Sequence, residues 1–204
     1  MLDARARRAL DPALGRAASW LDRPGVTPDR LTALALVLGL ASAGAAASQL
    51  WWPALVLWLV SRVLDGLDGA LARRRPVRDA GAGGYLDVVG DFAVYGATVV
   101  GVAVGATQGE GAAWWPFLLV LLAYYVNGTA FLAFSSLAER SGRQRDDGRS
   151  LSFLGGLAEG TETVVVHSLW LVLPGQADVI AVVWAAVVGL GAVQRTWAGY
   201  RALR

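Results

Sequence analysis

Between residues 29 and 200 the chain alternates long apolar runs with short polar breaks. Runs such as "LTALALVLGLASAGAAA" and "WWPFLLVLLAYYV" approach the ~20 residues needed to cross a ~30 Å hydrocarbon layer. They lack the period-two alternation of barrel strands, and lipid permits only helices and closed barrels to span, because backbone polar groups find no water there. The pattern predicts an all-α, polytopic membrane protein with six transmembrane helices, at residues 29 to 48, 51 to 74, 83 to 106, 113 to 138, 152 to 173 and 177 to 200. Residues 1 to 24 differ: Leu10, Ala13, Leu14, Ala17 and Leu21 recur at helical spacing, with Arg5, Arg8 and Arg16 mostly elsewhere. This predicts an N-terminal amphipathic juxtamembrane helix on the inner leaflet, with Asp11-Pro12 restarting it part way along. The stretch is too charged, and its apolar core too short, for a secretory signal peptide. Thr27-Pro28 supplies a cap and first-turn residue for the first span. One membrane domain over residues 1 to 204, with a six-helix bundle over 29 to 200, accounts for the whole pattern.

Composition agrees with a membrane class: 55% of residues are hydrophobic and the mean hydropathy is +0.48. The absence of cysteine excludes disulfides and thiolate metal sites. The net charge of +2 matters less than where the arginines fall. Arg5, Arg7, Arg8 and Arg16 precede the first span; Arg73, Arg74, Arg75 and Arg78 follow the second; Arg140, Arg143, Arg145 and Arg149 follow the fourth; Arg201 and Arg204 end the chain. The other three connections contain none, so the positive-inside rule places both termini in the cytoplasm. The Trp51-Trp52 and Trp114-Trp115 pairs fall near the outer boundaries, as an aromatic belt would.

Against this background, "SRVLDGLDGALARRRPVRDAGAGGYLDVVGD" sets four of its five aspartates, Asp65, Asp68, Asp87 and Asp91, at the predicted cytoplasmic ends of spans two and three. Asp65 and Asp68 stand at i and i+3 of one helix, with Ala72 at i+7; Gly83, Asp87 and Asp91 stand at i, i+4 and i+8 of the next. Antiparallel neighbours joined by a short loop bring both faces together, and four carboxylates then share one small space. Like charges ~4 Å apart repel by ~4 kcal/mol at an effective dielectric near 20, so cations must sit among them. An all-oxygen donor set from Asp65, Asp68, Asp87 and Asp91 favours Mg²⁺, Mn²⁺ or Ca²⁺ over zinc, and two divalent ions balance four negative charges. Gly66, Gly69, Ala70, Ala72, Gly83 and Gly84 let a bulky group approach the backbone. The plain alternative is that each acid caps a helix end or pairs with Arg62, Arg73, Arg74 or Arg78.

The run Asp65-x2-Asp68-Gly69-x2-Ala72-Arg73-x9-Gly83-x3-Asp87-x3-Asp91 resembles the signature of the CDP-alcohol phosphotransferases (CDP-alcohol phosphatidyltransferases), membrane enzymes of phospholipid synthesis. The resemblance implies that CDP-diacylglycerol donates a phosphatidyl group to an alcohol acceptor with release of CMP. It implies that Asp65, Asp68 and Asp87 hold two Mg²⁺ or Mn²⁺ ions bridging the donor diphosphate. Gly69, Ala72 and Gly83 then make room for the cytidine nucleotide, beside Asp68 and Arg73, and Asp91 is the catalytic base toward the acceptor hydroxyl. A homodimer in a bacterial inner membrane follows from the same resemblance, with no nucleic-acid partner. Asp29, in "TPDR", departs from the Asn familiar in relatives and puts a contact at that position in doubt.

For the acceptor, Glu159 and Glu162 share one helical face about 10 Å into the fifth span. They are expected either to pair with Arg195 or Arg62, or to meet acceptor hydroxyls or an amine. That doubly acidic face, in a chain whose basic residues are all arginine, leans toward a neutral polyol or amino alcohol. Arg140, Arg143, Arg145 and Arg149 read first as topology determinants, His167 as a satisfied interior group and Asn127 as a bridge between helices. A rival function is a divalent-cation transporter using the same aspartates, although the outer halves of spans two and three carry no acid to continue a path.

Overall fold

The computed structural model describes residues 2–76, 81–141 and 160–204. They form seven α-helices: α1 (Leu2–Leu21), α2 (Pro28–Ala47), α3 (Trp51–Ala72), α4 (Ala82–Gly109), α5 (Trp115–Arg140), α6 (Gly160–Val172) and α7 (Ala177–Leu203). A 3₁₀ turn at Pro174–Gln176 leads into α7, and the described residues contain no strand.

Among the described residues, four segments are long and apolar enough to cross a membrane: α2, α4, α5 and the stretch Pro174–Leu203 that includes α7. The other two expected spans differ for identifiable reasons. The 22 residues of α3 cover ~33 Å at the helical rise, but Arg62, Asp65 and Asp68 interrupt its apolar surface. The helix α6 has 13 residues, and residues 152 to 159, expected to begin that span, lie outside the described residues. Large apolar side chains such as Val37, Val56, Leu122, Val179 and Val193 project outward, as the surface of a membrane bundle requires.

The start of α2 forms as its sequence directs. Thr27 is extended (φ −116°, ψ 151°) and its side chain accepts from the backbone N–H of Arg30 at 3.2 Å, with Pro28 in the first turn. From there α2 runs between α3 and α4 and packs against both, while α5 packs along α7 and α6 lies against α3. The contact of α2 with α4 is backbone to backbone. A Cβ on Gly101 would collide with the Ala43 carbonyl, and one on Gly105 with the Ala46 carbonyl. These two glycines one turn apart therefore set how closely the helices approach. The core between the helices is built on Trp58, Val94, Val102, Phe117, Val120, Trp170 and Trp184.

The helix α1 departs from expectation in two ways. It runs unbroken through Pro12 instead of restarting there. Proline removes one i to i−4 hydrogen bond, and the following half of α1 is held by tertiary packing. The buried stripe is Leu14, Ala18 and Leu21, against Leu31 of α2 and Leu67, Ala70 and Leu71 of α3, whereas Ala13 and Ala17 are exposed. Past its end, the Asp22 carboxylate accepts from Arg75 Nε at 3.0 Å and Nη2 at 2.8 Å, tying α1 to the segment that follows α3.

Replacing Gly105 by valine forces bulk onto the Ala46 carbonyl and the Trp51 ring, and over-packing of this kind costs about 1–3 kcal/mol. Gly105→Val should lower the thermal unfolding midpoint in detergent. Gly44→Ala, on the same α2–α4 unit but with nothing within 4 Å of the added Cβ, should not lower it.

Candidate active site

The aspartates occupy the last two turns of α3 and the first three of α4. Helix α4 opens on Gly81, whose φ of 105° suits a residue without a Cβ at this helix start. Asp65, Asp68 and Asp87 each offer a carboxylate oxygen within 4.8 Å of the other two. At such separations three negative charges repel by several kcal/mol even with generous screening. The donor set is all oxygen and drawn from two rigid helices, which suits a hard divalent cation such as Mg²⁺ or Mn²⁺ and not zinc.

Neighbouring helices fix the individual carboxylates. Asp68 is buried, and its Oδ2 accepts from the Thr32 hydroxyl of α2 at 2.5 Å. Asp91, one turn beyond Asp87, stands outside the group of three. Its Oδ1 accepts from Arg62 Nη1 at 2.6 Å, and the same nitrogen is 3.7 Å from Asp65 Oδ1. Arg62 Nη2 donates to Ser61 Oγ at 3.0 Å, and Ser61 Oγ in turn donates to the Ala35 carbonyl at 2.7 Å. The guanidinium carbon lies 5.2 Å from the Trp58 ring centre and 5.3 Å from that of Tyr95. Of the four aspartates, three thus form one oxygen cage and the fourth stands beside it in an ion pair.

The expected nucleotide residues border the cage on the same two helices. Ala72 and Arg73 are exposed at the end of α3, and a Cβ on Gly69 would lie 3.4 Å from Arg73 Nη1, so the arginine folds back over the glycine. A Cβ on Gly83 would lie 3.3 Å from Asp29 Oδ1, which brings a fifth carboxylate, from the first turn of α2, to the rim of the site. Gly66 and Ala70 serve a different purpose from the one expected. They accommodate packing, Gly66 receiving the Leu14 side chain of α1 and Ala70 joining the Leu31–Leu67–Leu71 cluster.

The possible acceptor residues are distributed elsewhere. Arg195 is buried on α7 and its Nη1 donates to Asn127 Oδ1 of α5 at 2.9 Å, so Asn127 does bridge helices. Glu162, in the first turn of α6, has Oε2 buried without a hydrogen-bond partner. Glu159, Arg78, Arg143, Arg145 and Arg149 lie outside the described residues. His167 is fully buried: its Nε2 is 2.9 Å from the Tyr124 hydroxyl, its ring stacks 4.9 Å from Trp58, and its Nδ1 has no partner. It belongs to the floor beneath Arg62 and not to the oxygen cage.

Two contributors were not anticipated from the sequence. Thr32 was invisible as a partner of Asp68 because the two are 36 residues apart; its only signal was a hydroxyl one turn inside an apolar span. Tyr95, which walls Arg62, stands one turn after Asp91, a periodicity that would have placed it on the same face.

Comparison with known proteins agrees with this geometry. The sequence profile of the family described as CDP-alcohol phosphatidyltransferase matches residues 25–191. A curated relative, "Inner membrane protein YnjF" of Escherichia coli (strain K12), is 36% identical over 209 residues, covering 100% of this chain and 98% of the relative. A crystal structure of Mycobacterium tuberculosis phosphatidylinositol phosphate synthase (PgsA1) with CDP-DAG bound shares the fold, with a TM-score of 0.71, 23% identity and coverage of 92% of this chain and 93% of that one. With the profile spanning most of the sequence, the chain belongs to the CDP-alcohol phosphatidyltransferase family.

Proposed function

We propose that this protein transfers a phosphatidyl group from CDP-diacylglycerol to the hydroxyl of a small alcohol and releases CMP. The observation that carries the reading is the convergence of Asp65, Asp68 and Asp87 beside Asp91. The bound CDP-DAG of the mycobacterial neighbour supports the donor. The arginine distribution supports a site at the cytoplasmic face, with both termini there and α3 and α6 completing six spans.

In this reading Asp65, Asp68 and Asp87 hold two Mg²⁺ or Mn²⁺ ions, whose chemistry is to neutralise the donor diphosphate and the leaving CMP. Thr32 keeps Asp68 turned toward the cage by donating to its second oxygen. The last turn of α3 and first turn of α4, with Gly69, Ala72, Arg73 and Gly83, receive the nucleotide, while the acyl chains remain in lipid. Asp91 takes the proton of the acceptor hydroxyl as that oxygen bonds to the phosphorus bearing diacylglycerol. The bond between this phosphorus and the CMP oxygen breaks, and CMP leaves with the electron pair. Glu162 and Arg195 line the acceptor side, and an unpartnered buried carboxylate oxygen there favours a neutral polyol or amino alcohol over a phosphorylated one. The active unit is a homodimer.

Incubation of the purified protein in detergent with CDP-diacylglycerol, Mn²⁺ and a panel of acceptors should release CMP. The panel comprises inositol, serine, choline, glycerol phosphate, inositol phosphate and phosphatidylglycerol. Release with none of them, alongside Mn²⁺ flux into liposomes, would favour the transporter reading. Asp91→Asn should lower kcat by at least ~100-fold, the range associated with general-base catalysis, with little loss of Mn²⁺ affinity. Chelation of divalent ions with EDTA should abolish release reversibly. Readdition of Mg²⁺ or Mn²⁺ should restore it to wild type but not to Asp65→Asn at the same concentration.

A further inference from the structure

Arg62 stands outside the family signature as the sequence presents it, three residues before its first aspartate, yet its guanidinium is bound to Asp91 inside the site. Its side chain is only 7% exposed. Two aromatic rings flank the guanidinium, and a serine hydroxyl anchored to α2 accepts from Nη2. A guanidinium so confined is a fixed part, with most of its rotational freedom already lost on folding. It presents Nη1 to Oδ1 of Asp91, leaving the second carboxylate oxygen of that residue outside this bond.

We infer that Arg62 is a positioning residue for the transfer reaction, holding Asp91 by one oxygen so that the other meets the acceptor hydroxyl. The inference rests on the transferase reading above and adds a role to it. A base must be aligned with the proton it removes, and small misplacements of such a group carry large rate penalties. Asp91 stands one turn from Asp87 and shares the Arg62 Nη1 nitrogen with Asp65. Without a fixed counter-charge its carboxylate would turn away from Asp65 and Asp87, or toward any cation among them. Arg62 prevents both, since the Trp58 and Tyr95 rings and Ser61 fix where its own charge can be.

The test compares wild type with Arg62→Gln, Arg62→Lys, Asp91→Asn and the Asp91→Asn/Arg62→Gln double variant, all full length and in detergent. CMP release is followed with an acceptor that wild type uses, and Mn²⁺ binding is titrated calorimetrically without lipid. Arg62→Gln should lose about tenfold or more in kcat while its KM for CDP-diacylglycerol and its Mn²⁺ affinity stay within about threefold. Arg62→Lys should recover part of the loss. The double variant should be no slower than Asp91→Asn alone, because residues acting through one another are non-additive. Wild-type kcat in Arg62→Gln, a matching loss of Mn²⁺ affinity or of donor KM, or multiplying losses in the double variant would each overturn the assignment. If wild type itself releases no CMP with any acceptor, the transferase reading falls first; an active wild type with an indifferent Arg62→Gln sinks only this inference.

Discussion

The constraint on which the rest of the structure depends is the mutual repulsion of carboxylates at the adjoining ends of α3 and α4. Three of them lie close enough for one oxygen from each to fall within 4.8 Å of the others. No local preference brings them there. They are held by the packing of two helices against a third, and by hydrogen bonds from residues distant in sequence. Thr32 on α2 supplies one such bond, to Asp68, while Arg62 on α3 holds Asp91 beside the group.

Helix α2 is the element that makes this arrangement possible. Its small residues meet Gly101 and Gly105 of α4 backbone to backbone, and Ala35 receives the Ser61 hydroxyl of α3. Its first turn places Asp29 beside Gly83 and its second places Thr32 beside Asp68. Helix α1 adds a brace from the side, seating Leu14 on Gly66 and tying Asp22 to Arg75. The acidic cluster therefore owes its geometry to contacts on the backs of the helices that carry it.

Much of this was legible in the chain. The apolar runs located the helices to within a few residues where both were described, Thr27-Pro28 marked the start of α2, and aspartate spacing placed three carboxylates on facing surfaces. What could not be read was pairwise. The Thr32–Asp68 bond joins residues whose proximity depends on a helix crossing. Gly66 and Ala70 looked like room for a ligand because a small residue carries no mark of what approaches it, and in the fold a leucine of α1 and an apolar cluster do. The face that α1 buries shifted from Ala13 and Ala17 to Ala18 because a neighbour's shape, and not the moment of the isolated helix, selects it. Asp91, which the spacing groups with the other three aspartates, stands beside them with Arg62 of the neighbouring helix as its ion-pair partner, a pairing that spacing within α4 does not show.

The aromatic floor beneath that arginine has one more consequence. Trp58, fully buried, stacks on the equally buried His167, which in turn lies 4.8 Å from the Trp170 ring and within reach of Tyr95 and Tyr124. The acidic cluster and Arg62 thus rest on a packed layer of stacked rings and valines, in which a charge would find little to replace its water.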